Sequence, residues 1–146
     1  MKNSLYIVIV GCGRLGAHLA NQLSLDGHSV LVIDADEDAF QQLSPAFSGF
    51  HIVGDVTQKA VLEEARLKEA DVFFATARED NVNLMVAQVA RKLLDVPKVL
   101  ARIFDPRREQ VYAKLGIETI CPTSVAAEKF LLAVAELRPG RGEGAS

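Results

Sequence analysis

Cysteine is scarce in this chain of 146 residues: Cys12 and Cys121 stand alone, and neither has metal-ligand spacing around it. Histidine is nearly as rare. His18, His28 and His51 are scattered, with no Cys, Asp or Glu near them at metal spacing, so they read as surface or capping residues and no metal site is expected. There is no basic block, and the net charge is -3, which argues against a nucleic-acid surface or an anionic membrane surface as partner. A long apolar run is also missing. The stretch at Leu5–Val10 is too short to span a bilayer, and a glycine loop follows it instead of a small-residue cleavage site, so direct membrane insertion and a signal peptide are both disfavoured. No internal repeat is visible. A cytoplasmic protein is the default expectation.

What is present is an ordinary globular balance, 49% hydrophobic against 24% charged, over a length that suits one domain with a real core. Leu5–Val10 (LYIVIV) is a continuous apolar run with β-branched residues, the mark of a strand buried on both faces of a parallel sheet. A helix follows with Leu15, Leu19 and Leu23 at four-residue spacing, stopped by Asp26-Gly27. Ser29–Ile33 is the second strand, and Asp36-Glu37-Asp38 places acids in the first turn of the next helix, where the dipole favours them. A short strand at His51–Val53 precedes a helix over Thr57–Arg66. The fourth strand is Asp71–Ala75, and a longer helix over Glu79–Leu94 carries Val82, Met85, Val86, Val89 and Leu93 on one face. Lys98–Ile103 is strand five. Asp105-Pro106 reads as an N-cap with proline at the first helical position, opening a helix to Leu115. Strand six is Glu118–Cys121, and Thr123–Leu137 is the last helix.

Strands alternate with helices six times through short turns, the pattern of an α/β doubly wound parallel sheet of Rossmann type, order 3-2-1-4-5-6. The domain spans residues 1–137, and the Gly- and Pro-rich tail 138–146 is expected to be disordered. In that order Cys12 and Cys121 end strands three positions apart, roughly 14 Å at ~4.8 Å per strand. A disulfide needs Cα atoms within about 7 Å, so two free thiols are expected.

Gly11-Cys12-Gly13-Arg14-Leu15-Gly16 is G-x-G-x-x-G, a weak signal alone but meaningful between the first buried strand and the first helix. Gly11 permits the tight turn, Gly13 lets the backbone approach a pyrophosphate, and Gly16 lets helix pack closely on strand. Free N–H groups at the helix start then face the phosphates. Asp34, at the end of the second strand, stands where a carboxylate accepts hydrogen bonds from ribose hydroxyls; it would repel a 2′-phosphate, so NADP is disfavoured. Arg14 opposes the helix dipole by about 0.3–1 kcal/mol, a sign that a bound phosphate would reverse. Asp55 follows the third strand, placed for adenine or ribose or serving only as a turn aspartate. Thr76 and Ala77 end strand four at the switch point. Arg102 and Asn83 are weaker candidates, with pairing to an acid such as Asp105, or capping of a helix, as the plainer roles. Cys12 and Leu15 within the loop, Ala35 and Asp36 after Asp34, and Gly54 and Val56 around Asp55 complete the candidate contacts.

The combination Ile7–Gly16 (IVIVGCGRLG), Val30–Asp36 (VLVIDAD), Gly54-Asp55-Val56-Thr57, Ala75-Thr76, Asn83-Leu84, Leu100-Ala101-Arg102 and Gly116–Pro122 (GIETICP) resembles the nucleotide-binding N-terminal domain of Trk/Ktr-type potassium-conductance regulators, also called RCK or KTN domains. The resemblance runs from Leu5 to Leu137. It implies a domain that binds ATP, ADP, NAD(H) or AMP, does no chemistry, and passes the ligand state to a membrane-embedded potassium channel or transporter. It implies homo-oligomers, dimers and often rings, held at the inner face of the membrane through that partner. Arg14 matches an arginine that reaches terminal phosphates, sometimes of a ligand in a neighbouring subunit. Asp34 matches the ribose-binding acid and Asp55 the residue near the adenosine. Regulators of this kind commonly continue into a second, smaller domain, for which 146 residues leave little room, so a stand-alone one-domain subunit, a truncated chain and a cousin regulating something else all stay open.

Three functions stay open at this point: a regulatory subunit of potassium uptake, an interaction module with a structural nucleotide, and an NAD-dependent oxidoreductase. The last lacks an obvious His or Lys for proton transfer and a substrate-binding region. Among the nucleotides, Arg14 tips the expectation toward ATP/ADP over NAD(H). Nine of the eleven residues Val125–Ala135 are apolar. One face of that helix is expected to cover the sheet and the remainder, including parts of Phe130, Leu131 and Val134, to need a second subunit.

Overall fold

A computed structural model describes residues 3–137. Six strands form one parallel sheet: β1 (Tyr6–Val10), β2 (Ser29–Asp34), β3 (Phe50–Val53), β4 (Val72–Ala75), β5 (Lys98–Arg102) and β6 (Thr119–Ile120), in the order β3-β2-β1-β4-β5-β6. The expected topology is the one observed. Its central strands are apolar at every position because both faces are covered. Ile7, Ile9, Val30 and Val32 face the side packed by α1 (Arg14–Leu25). Val8, Val10, Phe73, Ala75, Val99 and Ala101 face the other, under α2 (Lys59–Glu64) and α3 (Asp80–Gln88).

The helices differ from their sequence patterns in instructive ways. In α1 the buried stripe is Gly16, Ala17, Ala20 and Ser24, and the leucines at 15, 19 and 23 are only half-buried beside it. Small residues let the helix axis come close to the sheet, and the larger ones then fill its flanks. The segment Glu37–Gln42 is 3₁₀ rather than α, capped by the Asp36 side chain accepting from the Asp38 N–H at 3.0 Å. The helix expected over Glu79–Leu94 is α3 followed by one π turn, Val89–Leu93. Its buried positions are Asn83, Val86, Ala87 and Ala90, while Met85 and Leu93 are exposed. The wider π turn shifts the stripe, so Leu93 no longer continues it. Asp105 caps the turn Pro106–Arg108 as expected, and α4 (Glu109–Lys114) follows.

The largest departure is α5 (Pro122–Glu136). No residue of it is buried, so no face covers the sheet; Phe130 is 75% and Leu131 69% exposed. The helix is tied to the domain at its first turn, where the Ser124 hydroxyl donates to Glu109 Oε1 at 2.6 Å. On the α1 side, the β4–β6 half of the sheet is correspondingly only partly covered. Phe74 and Leu100, register partners, are half-buried there, and Ile120 beside Arg102 is exposed. Among the described residues no helix is long and apolar enough to cross a membrane. The tail 138–146 lies outside the described residues.

Candidate nucleotide cleft

β1 and β4 are neighbours whose following helices leave on opposite sides, so the chain parts at their carboxyl ends and opens a crevice. Gly11 turns out of β1 with φ +94°, and a Cβ there would sit 2.5 Å from the Thr76 carbonyl oxygen. Its N–H donates to Ile33 O at 2.8 Å, while the Thr76 N–H and hydroxyl both donate to Val10 O, at 2.8 and 2.7 Å. The loop is thereby fixed to both neighbouring strands. A Cβ on Gly16 would lie 1.8 Å from Gly11 O, so α1 starts against the loop only because residue 16 has no side chain. Gly13, the N-cap of α1, is different: a Cβ there meets nothing within 4 Å. The side of the loop at Gly13 faces open space.

Asp34 ends β2 and holds the loop from the other edge. Its Oδ2 accepts from the Cys12 N–H at 2.7 Å and its Oδ1 from the Asp36 N–H at 2.9 Å. Each oxygen keeps a lone pair for a further donor. Gln42 Nε2 donates to Cys12 O at 3.3 Å. The buried Cys12 thiol is pushed up to about 11, by burial first and then by the Asp34 charge. Beyond the neighbouring β3, Asp55 Oδ1 accepts from the N–H and hydroxyl of Thr57 at 2.9 and 2.7 Å, which holds its carboxyl below the usual range.

The β4–β5 wall is built around one buried polar side chain, Asn83, and one half-buried one, Arg102. Asn83 is fully enclosed; its Oδ1 accepts from the Ala77 N–H at 2.8 Å and its Nδ2 donates to Ala77 O and Arg102 O, each at 2.9 Å. It therefore ties the β4 turn to β5 and is not a cap of its own helix. Arg102 does not pair with Asp105. Its guanidinium donates to Thr76 O at 2.8 Å and Ala77 O at 3.1 Å and lies over the Phe104 ring at 4.5 Å. Its Nε is enclosed without a partner, and burial pulls the guanidinium below the ordinary arginine range against the opposing charge of Asp80.

These elements enclose a cleft of about 570 Å³, within the range of small-molecule sites. The structure brings together residues 11–13, 34–36, 54–56, 76–77 and Arg102, and it leaves Arg14, Leu15 and Gly16 out of the lining. Thr57, Asp38, Gln42, Arg78, Glu79 and Val82 also line it and escaped the sequence reading. Arg78 and Glu79 had a signal, since they continue the Thr76-Ala77 turn; Gln42 reaches the loop only because its 3₁₀ segment folds back over it. Charge is divided along the cleft. Asp34, Asp36, Asp38 and Asp55 lie at the β2–β3 end, and Arg78 and Arg102, with the single acid Glu79, at the β4–β5 end. Among the described residues, no cluster of His, Cys, Asp and Glu is arranged to hold a metal ion.

The TrkA-N domain family model matches residues 7–122. The Trk system potassium uptake protein TrkA of Streptomyces coelicolor is 42% identical over 127 residues, 87% of this chain and 57% of that protein. The chain thus spans little more than half the length of that curated relative. Among solved structures, the GsuK channel bound to NAD superposes with a TM-score of 0.76 at 23% identity, covering 95% of this chain and 24% of that one. The Kef C-terminal domain of Shewanella denitrificans in AMP-bound form gives 0.75 at 24% identity, covering 92% and 82%.

Proposed function

The chain belongs to the TrkA-N domain family, and we propose that it is the cytosolic nucleotide-sensing part of a potassium-uptake regulator. The observation that carries this reading is the open side of the glycine loop at Gly13 opposite the carboxylate of Asp34, at the switch point of the sheet. A pyrophosphate at Gly13 puts the adenosine toward β2 and β3, where Asp34 accepts from the ribose hydroxyls and Asp55 faces the nucleoside. Four carboxylates at that end repel a 2′-phosphate and disfavour NADP. The family resemblance and the bound nucleotides of the GsuK and Kef structures support adenine nucleotides as the ligand class.

The reading is binding without chemistry. The cleft lining holds neither histidine nor lysine, and the Cys12 thiol is buried and protonated at neutral pH. The lining carboxylates Asp34, Asp36 and Asp55 accept from backbone N–H groups of the surrounding loops and so serve the fold. The partner is a membrane-embedded potassium transporter or channel, in keeping with the role named for the Streptomyces relative. A second copy of this chain is the other partner. The apolar α5, exposed beyond its first turn, and the thinly covered Phe74, Leu100 and Ile120 offer two complementary surfaces that one chain leaves unmatched. Native mass spectrometry of the purified protein tests the whole reading. Dimers or larger species that retain or take up an adenine nucleotide support it; a monomer that takes up none overturns it.

A further inference from the structure

We propose that Arg78 reads the tail of the ligand, meeting the terminal phosphate of an adenosine di- or triphosphate and repelling the pyridinium of oxidised nicotinamide dinucleotide. The inference rests on the adenine-nucleotide reading of the cleft and adds a specificity-determining residue to it. Val10 and Ala75 are register partners at the ends of β1 and β4. Each chain then runs three residues onward, one to Gly13 and the other to Arg78. Arg78 is therefore carried out along the opposite lip of the crevice from the glycine that faces open space.

Arg78 is also the wall between two spaces. With Glu79 it lines the main cleft and a neighbouring open depression of about 460 Å³ that reaches Asp80, Phe104 and Arg108. The charged groups around it are largely committed. Asp80 accepts from the Phe104 N–H at 2.8 Å and the Asp105 N–H at 3.4 Å, and Asp105 pairs with Arg107 and Arg108. Arg102 is held on two carbonyls and on the Phe104 ring. Arg78 is exposed and has no hydrogen-bond or ion-pair partner among the described residues. It is the lining cation free to close on an anion, and Glu79 is the lining acid beside it. A terminal phosphate accepts paired hydrogen bonds from a guanidinium. A dinucleotide offers only its bridged pyrophosphate, and in the oxidised form it brings a positive ring.

The test is calorimetric titration of the full chain, wild type, Arg78→Gln and Arg78→Lys, with AMP, ADP, ATP, NADH and NAD+. Arg78→Gln is expected to weaken ATP and ADP about tenfold or more while AMP changes less than about twofold, and Arg78→Lys to recover most of the loss. Wild type is expected to prefer NADH to NAD+. Equal losses for AMP and ATP, no loss at all, or a loss confined to the dinucleotides overturns the role of Arg78 while leaving the cleft a nucleotide site. Absence of binding by all five ligands to wild type overturns the parent reading instead, and this proposal with it.

Discussion

Replacing Asp34 separates two jobs that one carboxylate performs. In Asp34→Ala the Cys12 N–H loses its acceptor in a fully buried position, and the Asp36 N–H loses its acceptor where water replaces it. Only the first is costly: an unpaired buried donor amounts to about 1–3 kcal/mol. For a domain of this size that lowers Tm by roughly 2–12 °C, at ~2–4 °C per kcal/mol. The variant still folds, and its affinity for ATP and NADH falls roughly 10- to 150-fold, from about 1.5–3 kcal/mol of charge-assisted hydrogen bonding to the ribose. Asp34→Asn keeps one carbonyl oxygen for the Cys12 N–H but loses the charge. It should melt within a few degrees of wild type and still bind more weakly. Thermal melting and calorimetry on the two variants give the four numbers. An Ala variant with wild-type Tm and wild-type affinity for both nucleotides would refute the reasoning.

Gly16→Ala forces a Cβ to within 1.8 Å of Gly11 O, so α1 must move; a loss of at least about 2 kcal/mol in urea unfolding is expected, and an unchanged midpoint would show that the contact relaxes freely. Burial and the Asp34 charge push the Cys12 thiol up to about 11 in the folded chain, from an ordinary value of 9.0. An acid whose folded value is raised contributes stability below its unfolded value and loses it as pH rises toward the folded one. Wild type should therefore lose about 1.4 kcal/mol per pH unit more than Cys12→Ala between pH 9 and 11, and parallel stability profiles of the two proteins would contradict this. Charging the exposed helix with Phe130→Asp and Leu131→Asp is expected to yield monomers by light scattering with the fold intact by circular dichroism; dimers that persist would place the contact elsewhere.

The strand order, the crevice and most of its lining were legible in the sequence because local chemistry dictates them. Continuous apolar runs such as YIVIV require a sheet covered on both faces, alternation with helices requires right-handed parallel crossovers, and three glycines between strand and helix leave few other conformations. Asp34 was legible for the same reason, since an acid ending the second strand has one place to be. Tertiary structure decided what depends on distance across the fold. Arg102 came to hold Thr76 and Ala77, and Asn83 to bond Arg102 O, only when β5 came to lie beside β4. Arg14, within the glycine motif, is not part of the cleft lining, whereas Arg78, more than sixty residues away, is. The apolar pattern of α5 announced burial without saying against what. A hydrophobic face records only that water must be excluded, and in this chain nothing within the described fold excludes it.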